Sequence, residues 1–109
     1  MQIKEIDYNE LAQWLESEKP PVLIDVRTPQ EMAQASIYNG KPLPLNTLPF
    51  RLDEIPRDEP VVFYCRTGAR SGQACMYMTQ RGYDNVYNLY GGIVSWTRNG
   101  LPVAPMLIN

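Results

Sequence analysis

One cysteine followed by two arginines and a glycine is the part of this sequence best suited to chemistry. These residues form the segment Cys65–Arg70, which reads Cys-Arg-Thr-Gly-Ala-Arg and follows the apolar run Val61–Tyr64. A short loop between a strand and a helix can turn its backbone N–H groups toward one point before the helix, where they bind an anion. The field that binds an anion also favours a thiolate over a thiol. The sequence therefore predicts an activated nucleophile, Cys65, inside an anion-binding loop.

The other loop residues are expected to bind the substrate. Gly68 supplies the backbone freedom that a tight turn needs. Arg66 and Arg70 add positive charge and hydrogen-bond donors for an oxyanion. The predicted substrate-binding set is Arg66, Thr67, Gly68, Ala69 and Arg70.

The chain contains no histidine, which excludes several mechanisms at once. Cys–His dyads, Ser–His–Asp triads and most zinc sites all require that residue. Activation of Cys65 must therefore come from backbone dipoles and arginine, and we expect no metal and no other cofactor. The second cysteine, Cys75, lies about two turns into the following helix, too awkwardly placed for a disulfide to Cys65. We expect Cys75 to pack in the core as a small apolar residue.

Length and charge limit the class of protein and its partners. A chain of 109 residues is one domain, here residues 1–109 with an irregular tail from about residue 101. Ten basic and twelve acidic residues give a net charge of −2 with no basic tract, so neither nucleic acid nor an anionic membrane is a favoured partner. No apolar run is long enough to span a bilayer, and the N-terminus has no signal core. We therefore expect a cytoplasmic protein; oligomeric state stays open.

Strand and helix patterns alternate along the chain, which predicts an α/β fold with a mostly parallel sheet. Ligands of such sheets bind at the carboxyl ends of strands, where Cys65 is expected. The predicted strands cover 3–6, 22–26, 43–45, 61–64 and 86–89. Five helices are predicted. The first begins at the cap Asp7 and the second at the cap Thr28. The third runs from Thr47 to about Ile55, the fourth from Ser71 to about Arg81, and the last from Gly92 to about Arg98.

Three segments of the sequence resemble the rhodanese-like (sulfurtransferase) domain family. They are Asp25–Glu31, the loop Cys65–Ser71, and the C-terminal series that includes Gly82-Tyr83, Gly91-Gly92 and Trp96. The resemblance covers most of the chain and implies a three-layer fold, in which helices flank a five-stranded, largely parallel sheet. It also implies a persulfide on Cys65, loaded by thiosulfate or a similar anionic donor and passed to a thiol, cyanide or a protein acceptor.

Other functions remain open on the same residues. Phosphatases and arsenate reductases of related fold separate their cysteine and arginine by five residues, whereas four separate Cys65 from Arg70. A smaller loop suits one sulfur atom better than a tetrahedral oxyanion. The domain could also relay persulfide sulfur between proteins, or serve as a docking module that does not need Cys65.

Several further residues are predicted to have structural roles. Asp25 and Arg27 orient loops through an ion pair or caps, and Glu31 caps its helix. A close backbone turn near the site is expected at Gly91-Gly92, and Trp96 belongs to the core.

Overall fold

The structure, a computed structural model, describes residues 2–106 and contains one sheet of five parallel strands in the order β1-β5-β4-β2-β3. The strands are β1 (Lys4–Ile6), β2 (Val22–Asp25), β3 (Lys41–Pro42), β4 (Val61–Tyr64) and β5 (Val86–Leu89). The helices are α1 (Tyr8–Leu15), α2 (Pro29–Gln34), α3 (Ala69–Gln80) and α4 (Gly92–Arg98). This architecture confirms the predicted fold, with every strand pairing parallel.

Strand β4 occupies the centre of the sheet because all four of its side chains are apolar or aromatic and buried. Val61 and Phe63 belong to the apolar cluster shared with α3, while Val62 and Tyr64 join the cluster shared with α1 and α4. A strand covered on both faces reads as a continuous apolar run rather than an alternating one. The result is a rigid strand whose carboxyl end presents Cys65.

Two helices begin with the capping boxes that the sequence predicts. The Asp7 side chain accepts from the N–H of Glu10, and the Glu10 carboxylate accepts from the N–H of Asp7. Thr28 and Glu31 make the same reciprocal pair at the start of α2, with Pro29 in the first turn. These contacts satisfy N–H groups that have no partner within the helix.

The segment between α2 and β4 differs from its prediction. The edge strand is Lys41–Pro42, not 43–45, and it pairs with Ile24 and Asp25 of β2. The helix predicted from Thr47 to Ile55 is instead two 3-10 helices, Leu45–Phe50 and Leu52–Glu54. Pro49 lies inside the first of them and cannot donate a backbone hydrogen bond, which prevents a regular α-helix here.

Helix α3 begins at Ala69, two residues earlier than predicted, and ends at Gln80. Gly68 stands at its N-cap with φ 107° and ψ −8°, a left-handed conformation that completes the turn out of β4 in very few residues. Ala69 and Arg70 are therefore the first two residues of the helix rather than part of an extended loop.

The segment after α4 contains no regular element in residues 101–106, but it is held to the body of the protein. Ser36 and Ala104 form an antiparallel bridge, and the N–H of Met106 donates to the carbonyl of Met32. Residues 107–109, the end of the predicted irregular tail, lie outside the described residues. In residues 2–106, no helix has both the length and the apolar character needed to cross a membrane.

Candidate active site

The Cys65 thiol lies at the carboxyl end of β4, in the turn that precedes α3. Its residue is only 1% exposed. The Sγ atom accepts a hydrogen bond from the backbone N–H of Gly68 at 3.1 Å and lies 3.3 Å from the Ser71 hydroxyl. The predicted turn of backbone donors around the thiol is therefore present.

Two opposing effects act on the pKa of Cys65. Burial is the largest and raises the pKa, because a thiolate loses its hydration when it is enclosed. The Ser71 hydroxyl, when its hydrogen points at the sulfur, and the backbone N–H groups of Ser71, Gly68 and Thr67 lower the pKa by donating to the sulfur. The donors outweigh burial, so the pKa of Cys65 lies below its ordinary value.

Helix α4 fixes the orientation of the loop from the opposite side. The N–H of Ile93 donates to the carbonyl of Cys65 at 3.0 Å, and the N–H of Val94 donates to the carbonyl of Arg66 at 3.1 Å. These two bonds also satisfy N–H groups in the first turn of α4, which have no partner within that helix. Because the loop carbonyls are held toward α4, the N–H groups that follow them remain available to the sulfur.

Gly92 permits this close approach of α4 to the loop. A Cβ atom at position 92 would lie 2.3 Å from the carbonyl oxygen of Arg66 and 2.6 Å from that of Cys65. Gly92 also has φ +59°, in the left-handed region. The close turn predicted at Gly91-Gly92 is thus confirmed, and its role is to seat a helix N-terminus against the active-site loop.

Arg70 does not direct its guanidinium at the sulfur. It donates to both carboxylate oxygens of Glu31, at 2.7 and 2.8 Å. Through these hydrogen bonds Glu31 raises the pKa of Arg70, and Arg70 lowers the pKa of Glu31 to about 2. Arg70 contributes charge near Cys65, while both of its terminal nitrogens donate to Glu31, a partner that sequence reasoning assigned only to helix capping.

The other predicted substrate-binding residues line the outside of the loop. The side chains of Arg66, Thr67 and Ala69 are exposed, whereas Gly68 is half-buried. Arg66 borders a shallow groove between α2 and α4, together with Gln34 and Thr97. The exposed charge of Arg66 therefore lies at the rim of the loop.

Ser71 and Asn88 belong to the site although sequence reasoning did not select them. The Ser71 hydroxyl lies 2.5 Å from Asn88 Oδ1, and both residues are buried. Asn88 Nδ2 in turn donates to the carbonyl of Gly68 and to the Glu5 carboxylate. The signal that could have found Asn88 is a polar residue within the short buried strand Val86–Leu89, because a buried amide needs partners.

The buried ion pair of Asp25 and Arg27 is structural, as predicted. Arg27 Nη2 lies 2.8 Å from Asp25 Oδ2, and the side chains are 5% and 0% exposed. Arg27 also donates to the carbonyl of Ala35 and packs over the ring of Tyr64. These contacts join β2, β4 and the end of α2, and give the loop at Cys65 a rigid base.

Cys75 is a free, fully buried thiol in the apolar cluster under α3. Burial is the main cause that raises its pKa to about 12. A thiol in this state is a poor nucleophile, which agrees with the predicted packing role. Trp96 is likewise a core residue, 4% exposed, as the sequence predicted.

The positive field at this site comes from backbone N–H groups and from the charge of Arg70. Within residues 2–106, no three His, Cys, Asp or Glu side chains converge in a way that could hold a metal ion. The arrangement is that of an α/β domain with a buried thiol of lowered pKa, in a turn of backbone N–H donors at the carboxyl edge of its sheet.

Comparison with known proteins assigns this arrangement to a family. Residues 7–99 match the family model of the rhodanese-like domain, so the chain belongs to the rhodanese-like domain family. A sulfurtransferase from Allochromatium vinosum is 50% identical over 101 residues, which cover 93% of this chain and 94% of the relative. The thiosulfate sulfurtransferase GlpE of Vibrio cholerae is 32% identical, over 90% of this chain and 92% of its own.

A solved structure is similar over nearly the whole chain. The rhodanese-like domain protein from Staphylococcus aureus superimposes with a TM-score of 0.84 at 33% identity, covering 94% of this chain and 99% of that protein. The family predicted from the three sequence segments is therefore confirmed, together with the fold.

Proposed function

We propose that this protein is a sulfurtransferase that carries sulfane sulfur as a persulfide on Cys65. The observation that carries the proposal is a buried thiol that accepts hydrogen bonds from the loop that encloses it, with its pKa lowered by those donors. The family and the sulfurtransferase relatives support a transferase of the rhodanese type. A chain whose two cysteines are both free thiols suits a reducing compartment, so the cytoplasm remains the expected location.

The reaction divides into two displacements at sulfur. The Cys65 thiolate attacks the outer sulfur of an anionic donor such as thiosulfate, and a new S–S bond forms. The S–S bond of the donor breaks, and sulfite leaves with the bonding electron pair. A thiolate or cyanide then attacks the outer sulfur of the persulfide, which restores the Cys65 thiolate and releases an acceptor persulfide or thiocyanate.

The loop is suited to this charge because its donors are preorganised. The N–H groups of Thr67, Gly68 and Ser71 act on an anionic sulfur in a buried site, where hydrogen bonds to a charge are stronger than in water. Neither displacement needs a general base when its nucleophile attacks as an anion, the Cys65 thiolate in the first and a thiolate or cyanide in the second. Arg66, exposed at the rim, is the side chain available to attract the anionic donor.

The pairing of Arg70 weighs against phosphate or arsenate chemistry. In such a reaction the loop arginine would have to bind the equatorial oxygens of the oxyanion, and here both of its donor arms contact Glu31. The four-residue gap between Cys65 and Arg70 is also one residue shorter than in the phosphatases and arsenate reductases of related fold, and a smaller turn suits one sulfur atom better than the oxygens of a phosphoryl group.

Mass spectrometry after incubation with thiosulfate tests the proposal. We expect the protein to gain one sulfur atom, about 32 Da, at Cys65, and the label to disappear with cyanide or a reducing thiol. The Cys65→Ser variant should gain nothing, while Cys75→Ala should load like the parent protein. The proposal is wrong if Cys65 stays unloaded by thiosulfate and by a cysteine desulfurase, although a small alkylating reagent reaches it.

The same experiment separates two kinds of sulfurtransferase. Loading by thiosulfate indicates a small-molecule donor. Loading by a cysteine desulfurase alone indicates a relay that passes persulfide sulfur between proteins. A docking module would require no loading and would keep its function in the Cys65→Ala variant.

A further inference from the structure

The hydroxyl of Ser71 stands between two groups that compete for its single hydrogen. Its oxygen lies 3.3 Å from Cys65 Sγ and 2.5 Å from Asn88 Oδ1. A serine hydroxyl has one hydrogen to donate, and a carbonyl oxygen can only accept. Ser71 can therefore donate to Asn88 or to a Cys65 thiolate, but not to both.

The orientation of the Asn88 amide is determined by its other contacts. Nδ2 lies 3.1 Å from the carbonyl oxygen of Gly68 and 3.0 Å from Glu5 Oε2, and both of these atoms are acceptors. An amide presents two donors on nitrogen and none on oxygen. Turning the amide over would bring Oδ1 against two acceptors, so Oδ1 must face Ser71.

The two forms of Cys65 make different demands on this arrangement. A neutral thiol can donate its own hydrogen to Ser71 Oγ, which leaves the Ser71 hydrogen free for Asn88. A thiolate has no hydrogen and gains from a Ser71 donor. If Ser71 turns to the thiolate, the buried oxygen of Asn88 loses its donor and faces a hydroxyl oxygen at 2.5 Å. A buried acceptor without a donor is costly.

We propose that Asn88, oriented by Glu5 and Gly68, withholds the Ser71 hydroxyl from the Cys65 thiolate and thereby sets how much of Cys65 is ionised. Asn88 is thus a positioning residue that acts on the reaction through Ser71. The inference rests on the proposed role of Cys65 as the nucleophile. It adds two residues outside the loop, Asn88 on β5 and Glu5 on β1, to those that determine the reactivity of Cys65.

The restraint is matched to the reaction. In the persulfide the negative charge resides on the outer sulfur. A hydrogen bond from Ser71 to Sγ then stabilises less charge, so the Ser71 hydroxyl can donate to Asn88 instead. Asn88 therefore favours the loaded persulfide over the free thiolate. The Asn88 amide therefore has its strongest effect on unloaded Cys65, the state that accepts sulfur from the donor.

Other charged groups near Cys65 act independently of this hydrogen. The positive charge of Arg70 interacts with Cys65 across the loop, and the buried Cys75 thiol lies close enough to be affected by Cys65. Glu5 and Lys4 act on Cys75 from β1. None of them competes for the Ser71 hydrogen, so a test that compares variants with and without that hydroxyl isolates the proposed effect.

The test is the rate of alkylation of Cys65 in four proteins: the parent, Asn88→Leu, Ser71→Ala and the double variant. Leucine has the same branching and number of side-chain heavy atoms as asparagine and no acceptor, and the Gly68 carbonyl keeps its hydrogen bond from the N–H of Gly72. At a pH well below the thiol's pKa, we expect Asn88→Leu to react about 3- to 10-fold faster, because the thiolate gains a hydrogen bond. Ser71→Ala removes the contested hydrogen and gives the background in which Asn88→Leu should bring no acceleration.

The double variant decides between the proposal and a loosened loop. We expect it to react at the Ser71→Ala rate, because the acceleration depends on the hydroxyl. An equal acceleration in the Ser71→Ala background, or no acceleration by Asn88→Leu, would overturn the inference. If Asn88→Leu does not fold, Asn88→Ala serves in the same cycle. Alkylation needs no sulfur donor, so this result is independent of whether thiosulfate loads Cys65.

Discussion

Arg70 and Glu31 are joined by two parallel hydrogen bonds of 2.7 and 2.8 Å, across 39 positions of the chain. The pair ties the first turn of α3, which follows Cys65, to the first turn of α2. Glu31 also caps α2 through Thr28. A residue that sequence reasoning gave one structural role therefore also immobilises the active-site loop.

Glu31→Gln should destabilise the protein at neutral pH and change its pH dependence. Loss of a partly exposed ion pair costs about 1 kcal/mol in the free energy of unfolding. The pKa of Glu31 is lowered in the folded state to about 2, so its contribution is present above its unfolded value and is lost as the pH falls toward 2. In urea denaturation, the difference between parent and variant should shrink over that range.

Glu10→Gln is the matched control for this prediction. Glu10 holds the same capping position on α1, but it makes no ion pair within the described residues. Its substitution should leave sulfur loading unchanged. A stability difference for Glu31→Gln that stays constant from neutral pH to about 2 would contradict the assigned ion pair.

Gly92→Ala should disable the loop. The new methyl group would lie 2.3 Å from the Arg66 carbonyl, a distance that backbone atoms must relieve by moving. We expect loss of Cys65 loading and a destabilisation of about 3 kcal/mol or more, measured by thiosulfate loading and urea denaturation. Gly100→Ala is the control, because its φ is also positive at +78° but nothing lies within 4 Å. Similar losses in both variants would assign the effect to backbone strain alone.

Asp25→Asn should leave Arg27 as a buried charge without its carboxylate partner. The expected loss is about 3–5 kcal/mol in the free energy of unfolding, measured in urea at neutral pH. The partly exposed pair of Arg51 and Glu54 provides the comparison, since Glu54→Gln should have a much smaller effect. Equal effects at the two pairs would mean that burial of Arg27 does not determine the cost.

Alkylation of the folded protein should modify one cysteine, and alkylation of the unfolded protein should modify both. Cys65 has a lowered pKa, whereas the buried thiol of Cys75 has a pKa raised to about 12. Counting labels by mass before and after unfolding checks this at neutral pH. Native labelling of Cys75, or native labelling that Cys65→Ser leaves intact, would contradict the assignment of Cys65 as the reactive thiol.

The order of strands and helices followed from local patterns, and so did the capping boxes at Asp7 and Thr28. The structure of the segment from Lys41 to Glu54 did not follow from local patterns. Its local helix and strand propensities are opposed by Pro49 and by pairing with the edge of β2. A two-residue strand carries almost no periodic signal. Its position depends on which residues reach β2, and that is a tertiary contact.

The amino-acid sequence by itself predicted the candidate nucleophile and the turn that surrounds it, and it contained the three segments that indicated the family. The first two depend on neighbouring residues: an apolar strand, a glycine in a short loop and a helix that follows. Only the tertiary structure decided the partners of that turn. Glu31 takes the donors of Arg70, and Asn88 faces Ser71, from elements far away in the chain. Side chains compete for hydrogen bonds in three dimensions, so no spacing in the sequence could reveal which partner each would take.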